Sequence, residues 1–320
     1  MYLSYYDLKE EPFRLTPDPH FLHLSAPHQN ALTVLLEGIL YRKGLVMVTG
    51  PIGTGKTTLV HTALKMLTDV SKQKMPIKSA LMFNPTLTRD EFLEMMLEDF
   101  EVSCPSSSKP RRLMALHQML LDVQREGGTA VLFIDEAHLL SSELLEEIRL
   151  LGNADTHQEK LLQIVLSGQP ELVTMMNRRE LSALQQRIAA RANLRPLSLP
   201  EVRSYVAERL HLAGLQGASP FSSIALEQVL HYSSGVPRLI NLICDACLTL
   251  GFKTQRKTIQ PDVVEEVAVS LGLVAPTPAL GEKDWKTILP SSPLNGPSAP
   301  KSIVDTLIES MKQGRATAVR

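Results

Sequence analysis

The hydrophobic pattern of the chain changes character about two thirds of the way along its 320 residues. Before that point, short apolar runs alternate with longer segments in which apolar residues recur every three or four positions. Short apolar runs predict buried strands, and the recurrent spacing predicts amphipathic helices. Four strands are predicted on this basis, at LVMVTG, KSALMFN, TAVLFIDEAH and KLLQIVLSGQ. Because strands that alternate with helices build parallel sheets, the pattern predicts an α/β fold with helices on both faces of the sheet.

Beyond Leu199 only helical spacing remains, in PEVRSYVAERLHLAG, SSIALEQVLHYSSG, VPRLINLICDACLTLGF and QPDVVEEVAVSLGL. Four short amphipathic helices predict a small all-α domain. The last part of the chain is rich in proline and serine, which is typical of linkers, and KSIVDTLIESMKQG has the spacing of one short helix. The predicted organisation has four parts: an N-terminal arm packed on the core (1–30), an α/β domain (31–198), a helical domain (199–273) and a linker and tail (274–320).

Composition excludes several classes of protein. The formal net charge is −1, so no overall positive field attracts nucleic acid or an anionic membrane. Three cysteines give no disulfide framework and indicate a reducing compartment. Two of them, Cys244 and Cys247, lie in an apolar helical pattern and are predicted to pack in the core. Because the sequence lacks a signal-peptide pattern and any run of roughly 18 apolar residues, we expect a cytoplasmic protein without a membrane span.

The first predicted strand runs into a glycine-rich loop, GPIGTGKT, that opens a helix. This segment matches the G-x-x-x-x-G-K-[ST] pattern, whose glycines let backbone N–H groups turn towards phosphate oxygens at a helix N-terminus. In that pattern Lys56 reaches the β- and γ-phosphates, and the hydroxyl of Thr57 coordinates Mg²⁺. The predicted nucleotide-binding residues are Gly50, Pro51, Ile52, Gly53, Thr54, Gly55, Lys56, Thr57 and Thr58.

An acidic pair follows the third predicted strand, in VLFIDEAH. The strand delivers Asp135 to its C-terminal end, where ligands bind in open α/β sheets. Asp135 is predicted to hold Mg²⁺ together with Thr57, and Glu136 to act as the general base that polarises a water. The two motifs together predict Mg²⁺-dependent nucleotide hydrolysis. ATP is favoured over GTP because the sequence contains no N-K-x-D guanine signature.

Polar residues also end two further predicted strands. Asn84 follows one of them, and Ser167 and Gln169 end another. A polar side chain at this edge of the sheet can hold the catalytic carboxylate or the attacking water. Strand termination and turn formation explain such residues equally well, so both interpretations stay open.

Arginines supply two more candidates. Arg187, Arg191 and Arg195 have a four-residue spacing that would place them on one face of a helix. They are interpreted either as an exposed basic stripe or as the source of an arginine finger, with Arg187 favoured over Arg191. Arg238 begins an apolar helix after Gly-Val-Pro, where it either contacts ATP phosphates or pairs with a structural partner.

These segments together resemble AAA+ ATPases, and among them the ExeA/GspA-type ATPases of general secretion. The resemblance covers about residues 1–272 and includes YYDLKEEPFRLTPDPHFLHLS, EEIRLLGNADTHQEKLLQIVLSGQPEL, QQRIAARANLRPLS and SSGVPRLINLICDACL. It implies a P-loop NTPase sheet followed by a helical lid, and a homo-oligomeric ring with ATP at the subunit interfaces. It also implies roles for single residues: Asn84 as glutamate switch, Gln169 or Ser167 as sensor 1, Arg187 as trans finger and Arg238 as sensor 2.

The resemblance implies an ATPase that drives or regulates assembly of an envelope secretion, pilus or exopolysaccharide export system through an inner-membrane partner. Unlike longer ExeA-type proteins, the sequence shows no transmembrane helix and no peptidoglycan-binding domain after the ATPase. We therefore expect a shorter cytosolic relative, or one held at the inner membrane by its partner. One alternative is a DNA-binding regulator of transposition similar to TniB/TnsC, which KPRR (109–112) and the arginines support. Another is a nucleotide-dependent switch that barely turns over.

Overall fold

The chain forms two compact units that are not contiguous in sequence. The first comprises residues 25–196, and the second comprises residues 2–15 together with residues 197–273. The chain therefore starts in the second unit, builds the first and then returns. The structure, a computed structural model, describes residues 2–15, 25–73, 75–83, 86–106, 108–155 and 159–273.

A five-stranded parallel sheet forms the centre of the first unit. Its strands are β1 (Leu45–Thr49), β2 (Ile77–Met82), β3 (Thr129–Ile134), β4 (Leu162–Gly168) and β5 (Ile188–Asn193). They lie in the order β2-β3-β4-β1-β5. Every residue of β1, β3 and β4 is buried, because these strands lie inside the sheet, and this explains their uninterrupted apolar sequences.

Helices alternate with the strands along the first unit. They are α1 (Ala26–Leu40), α2 (Lys56–Gln73), α3 (Arg89–Asp99), α4 (Lys109–Arg125), α5 (Ser142–Leu151), α6 (Glu171–Met176) and α7 (Ser182–Gln185). Polar caps set several of their starts: Thr88 forms a capping box with Glu91 before α3, and the hydroxyl of Ser141 accepts the N–H of Leu144 in α5. The predicted α/β architecture, a parallel sheet whose strands alternate with helices, is confirmed.

The edge strand β5 has no counterpart among the four predicted strands. Its sequence, IAARAN, has a single β-branched residue and a mixed burial pattern, so it carries little of the apolar signal that marks a strand. Pairing with β1 places Arg191 opposite Met47. Arg187 precedes the strand and Arg195 follows it, so the helical stripe that their spacing suggested is wrong.

The helical part of the second unit begins at Leu199. Its helices are α8 (Leu199–Leu212), α9 (Ser223–Ser233), α10 (Pro237–Lys253) and α11 (Pro261–Ser270). Cys244 and Cys247 are fully buried on α10, which agrees with their predicted packing in the core. None of the helices in the described ranges is both long enough and apolar enough to cross a membrane.

The N-terminal segment packs on the helices of the second unit. The Tyr2 hydroxyl donates to Asp245 at 2.5 Å, the Tyr6 hydroxyl donates to a backbone carbonyl at 2.8 Å, and Phe13 contacts Phe221 edge to face. The expected arm, which ran from residue 1 to 30 and packed on the core, therefore differs from the structure. Residues 2–15 bury their aromatic side chains in the helical unit, and α1 of the first unit already begins at Ala26. The predicted tail (274–320) lies outside the described residues.

Candidate nucleotide-binding site

The loop of residues 50–57 joins the end of β1 to the first turn of α2. Two of its glycines, Gly53 and Gly55, have φ values of 78° and 96°, a region that favours glycine. At Gly50 a Cβ would lie 2.6 Å from the carbonyl oxygen of Leu194, so no side chain fits there. The glycines therefore allow a tight backbone loop at a helix N-terminus, which is the geometry of a phosphate-binding loop.

Lys56 lies within this loop, and only 5% of its surface is exposed. Its Nζ donates hydrogen bonds to the carbonyl oxygens of Gly50 (2.8 Å) and Pro51 (3.0 Å). Burial lowers the pKa of Lys56, and the nearby carboxylates of Glu136 and Asp135 oppose that shift. The ammonium group is thus held within the loop by two carbonyl oxygens, and the two acids that follow β3 favour its charged form.

A hydrogen bond connects the loop to the acidic motif. The Thr57 hydroxyl donates to Oδ2 of Asp135 at 2.6 Å, and Oδ1 of Asp135 accepts the backbone N–H of Glu136 at 3.0 Å. Asp135 is 2% exposed and directly follows β3. A hydroxyl beside a carboxylate is the donor set that a hard divalent cation such as Mg²⁺ prefers, so both predicted metal ligands fit that ion.

A chain of polar contacts, which the sequence does not predict, connects the residues after β3 with the end of the neighbouring strand β4. Glu136 has a left-handed backbone (φ 51°), and its carboxylate lies 3.3 Å from Nδ1 of His138. Nε2 of His138 lies 2.9 Å from the amide nitrogen of Gln169, which follows β4. His138 therefore lies between two predicted catalytic residues. Its only signal in the sequence is its place two residues after Glu136, and a contact with Gln169 depends on the tertiary fold.

The other predicted site residues lie in different places. Arg187 precedes β5, whose first residue pairs with the first residue of β1, whereas the loop follows the last residue of β1. The length of β1, roughly 15 Å, thus separates Arg187 from the loop of its own chain. Arg238 is exposed on the first turn of α10, in the second unit. Ser167 is fully buried, and its Oγ has no hydrogen-bond partner in the described part of the chain. Asn84 lies outside the described residues.

The basic run at 109–112 is largely engaged within the first unit. Lys109 forms an ion pair with the buried Glu147 at 2.7 Å. Arg112 is 8% exposed and donates to Glu94 and to two backbone carbonyl oxygens. Arg111 is the exposed arginine of the run. These contacts remove most of the local support for DNA binding, which stays a prediction from the sequence.

The fold and the site together define a class of protein. Residues 20–176 match the family described as the AAA domain, and the first unit has the AAA+ P-loop fold that the sequence predicts.

Within that class, the chain is similar to General secretion pathway protein A of Aeromonas hydrophila, with 38% identity over 268 residues. The match covers 82% of this chain and 47% of that protein, so the chain spans about half the length of this relative. The predicted resemblance to the GspA type is thus confirmed.

Solved structures support the fold. The structure of Drosophila ORC bound to DNA matches with a TM-score of 0.66 at 18% identity. The match covers 86% of this chain and 67% of the ORC chain. The ORC2 protein of Aeropyrum pernix matches with a TM-score of 0.57 at 16% identity, and the match covers 77% of this chain and 67% of the ORC2 chain.

Proposed function

We propose that the protein is a Mg²⁺-dependent ATPase that drives or regulates assembly of an envelope secretion, pilus or exopolysaccharide export system. The observation that carries the ATPase activity is the 2.6 Å hydrogen bond between Thr57 and Asp135, which connects the glycine-rich loop to the acidic motif. The similarity to General secretion pathway protein A supports the link to export.

Each residue of the site has a distinct proposed task. The loop backbone and Lys56 bind the phosphates, and Thr57 and Asp135 hold Mg²⁺. The Glu136 carboxylate is 38% exposed, so it is open to the attacking water and accepts its proton. Gln169, reached through His138, orients that water or Glu136, and Asn84 acts as the glutamate switch. The proposed role of Arg238, on the first turn of α10, is that of sensor 2.

We further propose that hydrolysis is shared between subunits of a ring. Arg187 lies near the amino ends of the strands, whereas its own loop lies at their carboxyl ends. It is half-buried, and its guanidinium donates to the carbonyl oxygen of Arg149 at 3.0 Å. A residue so placed serves a nucleotide only if that nucleotide is bound by a neighbouring copy. The assembly would work in the cytoplasm or at the inner membrane, where a membrane protein holds it.

The activity is tested by comparing two lysine substitutions on the same helix. Lys56→Ala removes the ammonium at the mouth of the loop, whereas Lys65→Ala removes an exposed lysine further along α2. We expect Lys56→Ala to abolish ATP hydrolysis and to weaken ATP binding, while Lys65→Ala keeps both. Equal activity in the two variants and the unchanged protein would refute the proposed ATPase.

The shared site is tested by mixing inactive subunits. Arg187→Ala subunits keep an intact loop, and Lys56→Ala subunits keep an intact finger. If catalysis is shared, mixed rings contain some complete sites and recover part of the ATPase rate. No recovery in mixtures that demonstrably co-assemble would argue against a trans role for Arg187.

The export role is tested with a variant that retains ATP. Glu136→Gln removes the general base but keeps the binding residues, so it holds the ATP-bound state. This variant should co-purify with an inner-membrane protein from its native cell in the presence of ATP, and Lys56→Ala should not. If Glu136→Gln recovers no membrane protein in ATP, the export role is wrong even if the ATPase activity is confirmed.

A further inference from the structure

We propose that His28 is a positioning residue for the phosphate-binding loop, a role that rests on the proposed nucleotide binding but lies outside both sequence motifs. His28 would fix the peptide between Thr54 and Gly55 so that the N–H of Gly55 faces the phosphates. No pattern in the sequence relates His28 to the loop, because 26 residues separate it from Thr54.

The imidazole is held in a defined place by α1. His28 lies on the first turn of that helix, three residues after the N-cap Ser25, and is 4% exposed. Nδ1 lies 2.6 Å from the Ser25 hydroxyl, which is itself 4% exposed. A buried side chain with a fixed partner on one nitrogen has little freedom on the other, so the direction of Nε2 is set by the helix.

The contact with the loop determines where the proton lies. Nε2 of His28 lies 2.8 Å from the carbonyl oxygen of Thr54. A carbonyl oxygen can only accept, so Nε2 carries the hydrogen and donates it. In the neutral imidazole Nδ1 is then an acceptor, and the hydroxyl of Ser25 is the donor that matches it. The two hydrogen bonds therefore select one tautomer and one orientation of the ring.

The geometry of the peptide unit converts this contact into an effect on the binding site. In a trans peptide the C=O of one residue and the N–H of the next point in opposite directions. Because His28 holds the carbonyl of Thr54 on the α1 side, the N–H of Gly55 points away from α1. This N–H belongs to the loop segment that leads into α2, where backbone N–H groups bind phosphate oxygens.

Gly55 and the imidazole are also in close contact. A Cβ at Gly55 would lie 3.2 Å from Nε2 of His28, and Gly55 has a φ of 96°. The threonine on the other side of the peptide is fully buried, and its hydroxyl donates to the carbonyl oxygen of Pro51 at 2.8 Å. Two hydrogen bonds thus fix the loop at Thr54: its carbonyl oxygen accepts from His28, and its hydroxyl donates to the carbonyl oxygen of Pro51.

Three substitutions at His28 separate positioning from simple packing. His28→Ala removes the donor. In His28→Gln the terminal amide reaches the position of Nε2 and can still donate, whereas the shorter side chain of His28→Asn reaches only the position of Nδ1. The measurements are the dissociation constants of ATP and ADP by calorimetry, kcat at saturating ATP, and the unfolding midpoint of each variant.

We expect His28→Ala and His28→Asn to weaken ATP and ADP binding by roughly tenfold, the cost of a misdirected hydrogen-bond donor. His28→Gln should restore most of the affinity, and kcat at saturation should change much less than the dissociation constants. Wild-type affinities in both His28→Ala and His28→Asn, with only a lower unfolding midpoint, would show that His28 merely packs. If His28→Ala does not fold, the comparison of His28→Gln with His28→Asn still decides the question, because equal affinities in those two would overturn the proposal.

The same titrations distinguish this failure from failure of the proposed function. If the unchanged protein binds neither ATP nor ADP, the nucleotide site itself is wrong. A different result would count against His28 alone. In that result the unchanged protein and His28→Ala both bind ATP and ADP with equal affinity, and Lys56→Ala binds neither, so the nucleotide site is confirmed and the role of His28 is wrong.

Discussion

The two units treat buried ionisable side chains in opposite ways. In the first unit, burial lowers the pKa of Lys56, but carboxylates at the same sheet edge oppose that shift and carbonyl oxygens accept its hydrogen bonds. In the second unit, burial raises the pKa of Tyr6 and of Cys247 to about 12, which keeps both groups neutral. Similar burial therefore has different consequences, because carboxylates oppose the effect of burial at Lys56, whereas in the described residues no opposite charge counters it at Tyr6 or Cys247.

This difference indicates where chemistry can occur. Ionised groups that partner one another at the carboxyl ends of parallel strands are available to a substrate, whereas neutral groups within a helical core only pack. The C-x-x-C pair illustrates the second case, since burial also raises the pKa of Cys244 and thus disfavours the reactive thiolate. Substitutions of the paired groups at the carboxyl ends of the strands should accordingly change activity, whereas substitutions of the buried polar groups in the core of the second unit should change stability.

The largest effect is expected at Glu136. Glu136→Gln should lower kcat for ATP by about 10²–10⁴-fold, because the amide cannot accept the proton of the attacking water. Glu143→Gln is the matched control, since that carboxylate is 75% exposed on α5. Steady-state ATPase assays of both variants provide the measurement. A Glu136→Gln enzyme with undiminished kcat would exclude Glu136 as the general base.

A smaller effect is expected at Thr57. Thr57→Val keeps the shape of the side chain but removes the hydroxyl that donates to Asp135, so half-maximal activity should need roughly tenfold more Mg²⁺. Thr62→Val removes a buried hydroxyl that bonds only backbone within α2, and should leave the Mg²⁺ dependence unchanged. A titration of ATPase rate against Mg²⁺ compares them. Identical curves for Thr57→Val and the unchanged protein would remove Thr57 from the metal site.

In the second unit, the expected effect falls on stability. The buried Tyr205 hydroxyl donates to Oδ1 of Asn241 at 2.8 Å. Tyr205→Phe leaves that buried oxygen without this donor and should lower the free energy of unfolding by about 1–3 kcal/mol. Tyr41→Phe, at a residue that is 52% exposed, should cost less than about 0.5 kcal/mol. Urea unfolding measures both, and equal stabilities would contradict the assigned role of the hydrogen bond.

The effect with the narrowest range is expected at Cys247, where the pH dependence of stability changes only at high pH. The folded-state pKa of its thiol is about 12, above the ordinary value of 9.0, so the unfolded chain loses this proton first. The contribution to stability is complete below pH 9 and is lost as the pH rises towards 12. Cys247→Ala should therefore show a shallower decrease of unfolding free energy between these pH values. Parallel pH profiles for the two proteins would contradict this linkage.

The parts of the site that lie close together in sequence were predictable. GPIGTGKT contains a whole loop within eight residues, and VLFIDEAH contains a strand together with the acids that follow it. A buried strand directly precedes each motif, so the sequence also shows that the motif lies at the carboxyl end of a strand. For the same reason, β1 to β4 are evident from their apolar runs and the helical unit from its spacing.

The parts that depend on distant contacts were not predictable. The contact of His28 with Thr54 and that of His138 with Gln169 join residues 26 and 31 positions apart through the packing of different elements. The N-terminal segment contacts residues more than 240 positions away, so its composition indicates burial but not the surface it covers. The polar edge strand β5 is stabilised by pairing with β1, which its own six residues do not reveal.

The return of the chain to its starting unit has a consequence for biosynthesis. During translation, residues 2–15 leave the ribosome long before their partners Ala213, Asp245 and Arg256 have been made. The first unit, whose residues are contiguous, can complete its sheet in that interval, because domains fold as units while the chain is being synthesised. The aromatic side chains of the first segment remain uncovered until then. In a ribosome-stalled chain that ends before α10, the first unit should therefore resist proteolysis, whereas residues 2–15 should be cleaved easily.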